Sequence, residues 1–316
     1  MPTDLTEVSF TGETVTLAGS LTVPQGPGTP VGGVVMIGGS GPADRDNGGY
    51  FPPIRDRLVR AGLAVLSYDK RGVGDSKGDW QESTLDDLAD DASAALDFLR
   101  AQPRVRADAV GLLGHSEGGW VALRAGAGRA DLAWLVTSSC PGTTPAEQER
   151  HALAESLRDA AGRPETDAAL ALYDRLVEAG RRDADHAEAR TLLGDTGTPP
   201  GSADLWEAAT DARFWRFLKR KQDHDPLADA VRLRCPHLAV FGGADPLVPV
   251  AKSARAFVAA ACRPGRPARA TLTVEVVPGA DHRLRTDHGV RPAPAYLDLL
   301  AGWITGRTPP HPDETP

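Results

Sequence analysis

Five short apolar runs constrain the fold of this chain more than any other feature: Val34-Val35-Met36-Ile37, Leu63-Ala64-Val65-Leu66, Val110-Gly111-Leu112-Leu113, Leu132 to Val136, and Leu238-Ala239-Val240-Phe241. Short, nearly continuous apolar runs of this kind are what strands covered on both faces look like. Helical patterns lie between them. The clearest runs from Thr84 to Arg100, where Leu88, Ala92, Ala95, Leu96 and Leu99 recur at spacings of three and four behind a Ser83/Thr84 cap. Strand alternating with helix implies right-handed crossovers, and so an α/β fold class with a mostly parallel central sheet and helices on both faces. Upstream, Val15, Leu17, Leu21 and Val23 alternate with polar or small residues, the pattern of a half-buried strand in an antiparallel opening, and a Pro/Gly-rich break follows at Pro24 to Pro30.

The alternation stops and then resumes. Residues 1–142 read as the first part of a core, 143–226 as a helical insertion rich in Ala, Arg, Asp and Glu, and 227–307 as the second part of the core. Residues 308–316, with Pro309, Pro310 and Pro312, read as a disordered tail. The insertion concentrates Trp206, Phe214, Trp215 and Phe217 in a chain that is only 5% aromatic. These rings either form the insertion's own small core or line a pocket, and composition leaves both readings open.

A formal net charge of −8 leaves no basic surplus to neutralise phosphates, which argues against nucleic acid and anionic membranes as partners. The three cysteines, Cys140, Cys235 and Cys262, form neither a disulfide framework nor a metal-type pair. The first residues lack a signal-peptide pattern, and no apolar run approaches the length of a membrane span. The expectation is a cytoplasmic protein whose partner is a small-molecule substrate, with a homodimer left open.

One motif carries chemistry. Gly114-His115-Ser116-Glu117-Gly118 directly follows a predicted strand and leads into a predicted helix, Gly118-Gly119-Trp120-Val121-Ala122-Leu123. Gly-x-Ser-x-Gly arises by chance at roughly 0.1 to 0.2 per chain, so its position matters more than the match. At a strand-to-helix corner, small flanking residues allow a tight turn that presents the serine as a nucleophile; an ordinary glycine-rich turn is the plainer reading. A serine hydroxyl needs a base, an orienting group and oxyanion donors. The base is expected in the loop after the last strand, Leu272 to Val277, where Pro278-Gly279-Ala280-Asp281-His282 supplies His282. His288, His224 and His237 are weaker candidates, and His115 is expected to pack or hydrogen-bond rather than act as base. The orienting carboxylate is expected in Phe241-Gly242-Gly243-Ala244-Asp245-Pro246, as Asp245, whose plainer role is a turn aspartate capping a helix near Val250. The backbone N–H of Glu117 is one oxyanion donor, and Gly38-Gly39-Ser40-Gly41-Pro42 supplies the other. No lysine follows that loop in the phosphate-cradle pattern, and no dinucleotide fingerprint is present.

The order Ser116, Asp245, His282, each after a predicted strand, joins further segments: Gly38 to Asp46, Asp69-Lys70-Arg71-Gly72-Val73-Gly74-Asp75-Ser76, Gly114 to Gly119, Asp225-Pro226, Gly243-Ala244-Asp245 and Gly279-Ala280-Asp281-His282. Together they resemble the α/β-hydrolase superfamily, in the bacterial carboxylesterase group related to the serine aminopeptidase and dienelactone hydrolase families. The resemblance spans the core and not the insertion. It implies an α/β-hydrolase fold with residues 143–226 as a lid. It also places the second oxyanion donor on the N–H of Ser40, with glycine standing where that group often has histidine, and makes Arg71 a salt-bridge anchor near the site.

The expected activity is that of a serine hydrolase cleaving a carboxylic ester of a small to medium-sized, partly apolar substrate through an acyl-enzyme on Ser116, with no metal and no cofactor. Expected substrate contacts are Gly39, Trp206, Phe214 and Trp215. A thioesterase, peptidase or carbon–carbon hydrolase would use the same triad. A cyclase or lyase of a biosynthetic pathway, or a non-catalytic ligand receptor, are the rivals from other classes. Dehalogenase and epoxide-hydrolase chemistry would call for aspartate where Ser116 stands.

Overall fold

The computed structural model describes residues 3–26, 29–158, 162–194 and 211–307. Its strands are β1 (Thr3–Thr11), β2 (Thr16–Pro24), β3 (Val31–Ile37), β4 (Ala64–Tyr68), β5 (Val105–His115), β6 (Leu135–Ser138), β7 (His237–Gly242) and β8 (Leu272–Val277). They form one eight-stranded sheet in the order β1-β2-β4-β3-β5-β6-β7-β8. The β1–β2 and β2–β4 pairs are antiparallel and all later pairs are parallel.

The apolar run of β3 shows why the strands lack polar alternation. Val35 and Ile37 point into one core, Val34 and Met36 into the other. The first core is closed by α2 (Leu85–Arg100), α3 (Glu117–Gly126) and α9 (Val250–Ala261), through Leu96, Leu99, Trp120, Leu123 and Phe257. The second is closed by α1 (Phe51–Arg60) and α10 (Pro294–Thr305), through Phe51, Ile54, Leu58, Tyr296 and Leu300. Between β6 and β7 lie α4 (Pro145–Leu157), α5 (Arg163–Arg181), α6 (His186–Leu193), α7 (Ala212–Lys221) and α8 (Pro226–Val231). Among the described residues, no helix is long and apolar enough to cross a membrane.

Two local readings change, and β1 goes unread in the sequence. β1 carries little apolar signal because it is an edge strand with Leu5 exposed. β2 is not half-buried in simple alternation, since Ser20 and Thr22 are buried along with Leu17 and Leu21 in a strand paired on both edges. The run Leu132 to Val136 ends inside β6 rather than forming it. Pairing with β5 matches Leu112 to Leu135 and His115 to Ser138, so the strand extends into polar residues while Leu132 and Trp134 pack before it.

The topology chooses the position of a ligand site. From β3 the chain passes through α1 to β4 on one side, then through α2 to β5 on the other, so the strand order switches between β3 and β5. Open α/β sheets bind ligands outside the carboxyl ends of strands at such a switch. The segments after β3 and β5 are the glycine loop and the Ser116 turn.

Helix α2, which makes the crossover, begins with a capping box: Asp87 N–H donates to Thr84 Oγ1 (3.1 Å) and Thr84 N–H to the Asp87 carboxylate (2.8 Å). Thr84→Ala removes an acceptor at the helix start and is expected to cost about 1 kcal/mol, while Thr84→Ser retains most of it. Denaturant midpoints at unchanged m-value check this, and equal midpoints for both variants and the wild type would contradict it.

Candidate active site

Ser116 sits between β5 and α3 with φ 53° and ψ −122°. A non-glycine residue in this region is strained by about 1–3 kcal/mol, so the surroundings must hold it. Ser116 N–H donates to the Ser138 carbonyl (2.9 Å), and the Ser116 carbonyl accepts from Gly119 N–H (2.8 Å). The turn closes only because its neighbours lack side chains. A Cβ on Gly114 would lie 2.0 Å from the Gly118 carbonyl oxygen, and one on Gly118 would lie 2.3 Å from that of Ile37. The N-terminus of α3 therefore presses directly on the end of β3.

Asp245 and His282 are brought together from the loops after β7 and β8. His282 Nδ1 lies 2.8 Å from Asp245 Oδ2. A carboxylate accepts only, so Nδ1 carries a proton and, in the neutral imidazole, Nε2 bears the lone pair. The other Asp245 oxygen accepts from Leu247 N–H (2.8 Å) and Val248 N–H (3.2 Å). The turn role read for Asp245 is thus present, but it occupies one oxygen and leaves the second for His282; α9 itself has no side-chain cap. Asp281 is held by its own loop, accepting from Arg283 N–H, Arg285 N–H and Arg285 Nε. His288 is exposed, and His237 is buried on Thr137 Oγ1. His224 lies against Trp120.

His115 is buried and bridges two loops. Its Nε2–H donates to the His282 carbonyl (3.2 Å), and its Nδ1 accepts from Asn47 Nδ2 (3.1 Å). Burial, aided by the neighbouring His282, holds its pKa well below the usual histidine value, so it stays neutral and keeps this tautomer. Asn47 Oδ1 in turn accepts from Gly39 N–H (3.3 Å). The glycine loop is thereby tied to the His282 loop through two buried side chains.

The side chain of Glu117, buried at 1% exposure, lies between two lysines. Lys70 Nζ is 2.9 Å from Oε1 and Lys221 Nζ is 2.8 Å from Oε2. Burial alone would push the Glu117 carboxyl up; the two ammonium groups overcome this and bring its pKa down to about 2. Lys70 Nζ also donates to the Gly39 carbonyl (2.6 Å). Arg71 is paired with buried Asp91, Nε to Oδ2 at 2.7 Å.

Gly39, Ser40, Ser116 and His282 line one cavity of about 460 Å³. Its remaining walls come largely from the helices between β6 and β7: Ala146 and Leu153 of α4, Tyr173, Leu176 and Val177 of α5, Ala189 and Leu193 of α6, and Trp215, Leu218 and Lys221 of α7. The aromatic cluster divides. Trp215 lines the cavity, with Nε1 donating to the Ala184 carbonyl. Phe214 is not among the lining residues and packs with Phe217 against Trp80 in the helices' own core. Trp206 lies outside the described residues. No group of three or more His, Cys, Asp or Glu side chains able to hold a metal ion occurs among the described residues.

Sequence reasoning missed Asn47, Lys70, Lys221 and the side chain of Glu117. Lys221 had a signal: it continues the apolar stripe of Phe214, Phe217 and Leu218 at helical spacing, and all but Leu218 are buried. A lysine on such a stripe implies a buried partner. Asn47, in an Asn-Gly turn with φ 48°, carries only the sequence signal of a turn.

Comparison with known proteins follows the same lines. The chain is 26% identical to the esterase EstD of Thermotoga maritima over 234 residues, 72% of this chain and 50% of that protein, so it spans about half the length of this relative. An esterase of Pyrococcus furiosus superposes with a TM-score of 0.61 at 16% identity, covering 96% of this chain and 90% of that one. A proline iminopeptidase of Mycobacterium smegmatis gives 0.62 at 17% identity, covering 96% and 99%. At these identities the two structures show the fold alone. The profile of the alpha/beta hydrolase family matches residues 34–295, most of the sheet and the site, and the chain belongs to that family.

Proposed function

We propose that this protein is a serine carboxylesterase. The observation that carries the reading is the buried Asp245 hydrogen-bonded to His282, which lines the same cavity as Ser116, with Ser116 held in a strained turn. In the reaction, His282 Nε2 takes the Ser116 Oγ proton as that oxygen attacks the ester carbonyl carbon. Asp245 keeps the proton on Nδ1 and stabilises the imidazolium. The tetrahedral oxyanion is met by Glu117 N–H, which has no intrahelical acceptor at the first position of α3, and by Ser40 N–H from the glycine loop. His282 then returns the proton to the leaving alcohol. Water, deprotonated by the same histidine, then adds to the acyl carbon, and as the bond to Ser116 Oγ breaks the proton returns to that oxygen and the acid leaves.

The helical segment acts as a lid that supplies the acyl or alcohol pocket. A cavity of about 460 Å³ with Leu153, Leu176, Val177, Leu193 and Trp215 on its walls suits a medium-sized, partly apolar group. Thioester, amide and ester carbonyls all fit the same machinery, and the ester is favoured here by the relative EstD.

Hydrolysis of p-nitrophenyl esters from acetate to octanoate is expected for the wild type. Ser116→Ala is expected to lose more than about 10³-fold in kcat/KM, and a retained rate or an inert folded wild type would contradict the reading. Asp245→Asn is expected to lower kcat by about 10²–10⁴-fold, because its amide can present an N–H to Nδ1 and favour the wrong tautomer. Val177→Trp, which adds bulk at a residue lining the cavity, is expected to shift the chain-length optimum toward shorter acyl groups, and an unchanged profile would place the acyl chain elsewhere.

A further inference from the structure

The peptide between Gly39 and Ser40 has two ends with different duties. Its N–H, on Ser40, has no acceptor among the described residues and lies in a residue that lines the cavity. Its C=O, on Gly39, accepts from the buried Lys70 ammonium at 2.6 Å. The peptide is trans, so the N–H points away from the lysine. The other polar group of Gly39 is also tied, its N–H to Asn47 Oδ1, and Lys70 N–H donates to the Ala43 carbonyl of the same loop (3.0 Å). Lys70 therefore binds the glycine loop by main chain and side chain. Its ammonium also bonds Glu117, the residue whose N–H is the second oxyanion donor. Two lysines around one carboxylate leave one net positive charge buried beside the point where a negative charge forms.

We infer that Lys70 is a positioning residue for the oxyanion hole: by binding the Gly39 carbonyl and the Glu117 carboxylate it orients and polarises the Ser40 N–H. The inference rests on the proposed serine mechanism. A charged donor on a carbonyl strengthens the hydrogen bond its peptide N–H makes, and in a low-dielectric site the gain falls on the oxyanion more than on the neutral substrate. Lys221 bonds the same carboxylate but not Gly39, so it separates the peptide route from the charge of the cluster.

The test compares Lys70→Met, Lys70→Gln and Lys221→Met in the full chain, each checked for wild-type circular dichroism, against an alkyl trifluoromethyl ketone and its corresponding alcohol. Addition of Ser116 Oγ to the ketone, with its proton passing to His282, leaves an oxyanion in the hole; the alcohol makes none. Since loss of a direct oxyanion donor costs about 10²–10³-fold, Lys70→Met is expected to lower kcat by roughly ten- to hundredfold with KM within about threefold. Ketone affinity is expected to fall in parallel and alcohol affinity to stay unchanged. Lys70→Gln, which keeps an N–H donor without the charge, is expected to fall between and carries the test if Lys70→Met does not fold. Unchanged ketone affinity in the folded Lys70 variants, or equal losses in Lys70→Met and Lys221→Met, would overturn the role. If the wild type itself prefers the ketone no more than does Ser116→Ala, the serine mechanism fails instead.

Discussion

The contact between the first turn of α3 and the end of β3 is the constraint on which the rest of the site depends. Gly118 has no room for a Cβ because the carbonyl oxygens of Ile37 and Gly38 would lie 2.3 and 2.5 Å from it. That approach bends the chain at Ser116 into a conformation no serine prefers, and it sets the Glu117 N–H beside the glycine loop. Had the helix stood off by the width of a methyl group, Ser116 could relax and the Glu117 N–H would move away from the glycine loop. The sheet topology makes the approach possible, since β3 and β5 are neighbours at the point where strand order switches.

Electrostatics then holds the parts in place from behind. Removing a carboxylate and two ammonium groups from water is costly, and such a cluster need not stabilise the fold relative to apolar residues. Its position is therefore informative. Glu117 joins the loop after β4, through Lys70, to α7, through Lys221, so the α7 wall of the cavity and the glycine loop that Lys70 also binds share one buried carboxylate. His115 does a neutral version of the same work, linking the His282 carbonyl to Asn47 and so to Gly39. The charged bridge ends on the Gly39 carbonyl and the neutral one on the Gly39 N–H.

Much of this was legible in the sequence where local rules decide. The two-faced burial of β3 and the capping box of α2 follow from residues near in sequence, as does the strand–serine–helix corner. The order Ser116, Asp245, His282 could be read because each sits in a loop just past a strand. What could not be read depends on partners far apart in the chain. Lys221 and Glu117 are 104 residues apart, and Asn47 and His115 are 68. A lysine at the end of a basic helix passes for a solvated residue unless its helical spacing from Phe214 and Phe217 is noticed. The aromatic cluster was ambiguous for the same reason, since spacing cannot say that Trp215 faces the cavity while Phe214 faces Trp80.

Whether Ser116 is a nucleophile activated by His282 and Asp245 is read most simply from reaction of the wild type, Ser116→Ala and His282→Ala with an alkyl fluorophosphonate, followed by intact mass and peptide mapping. One phosphonyl adduct per wild-type chain is expected, on Ser116, with none on the Ser116 variant and labelling of the His282 variant slowed by orders of magnitude. An adduct on another residue, or a wild type that stays unlabelled while folded, would contradict that role.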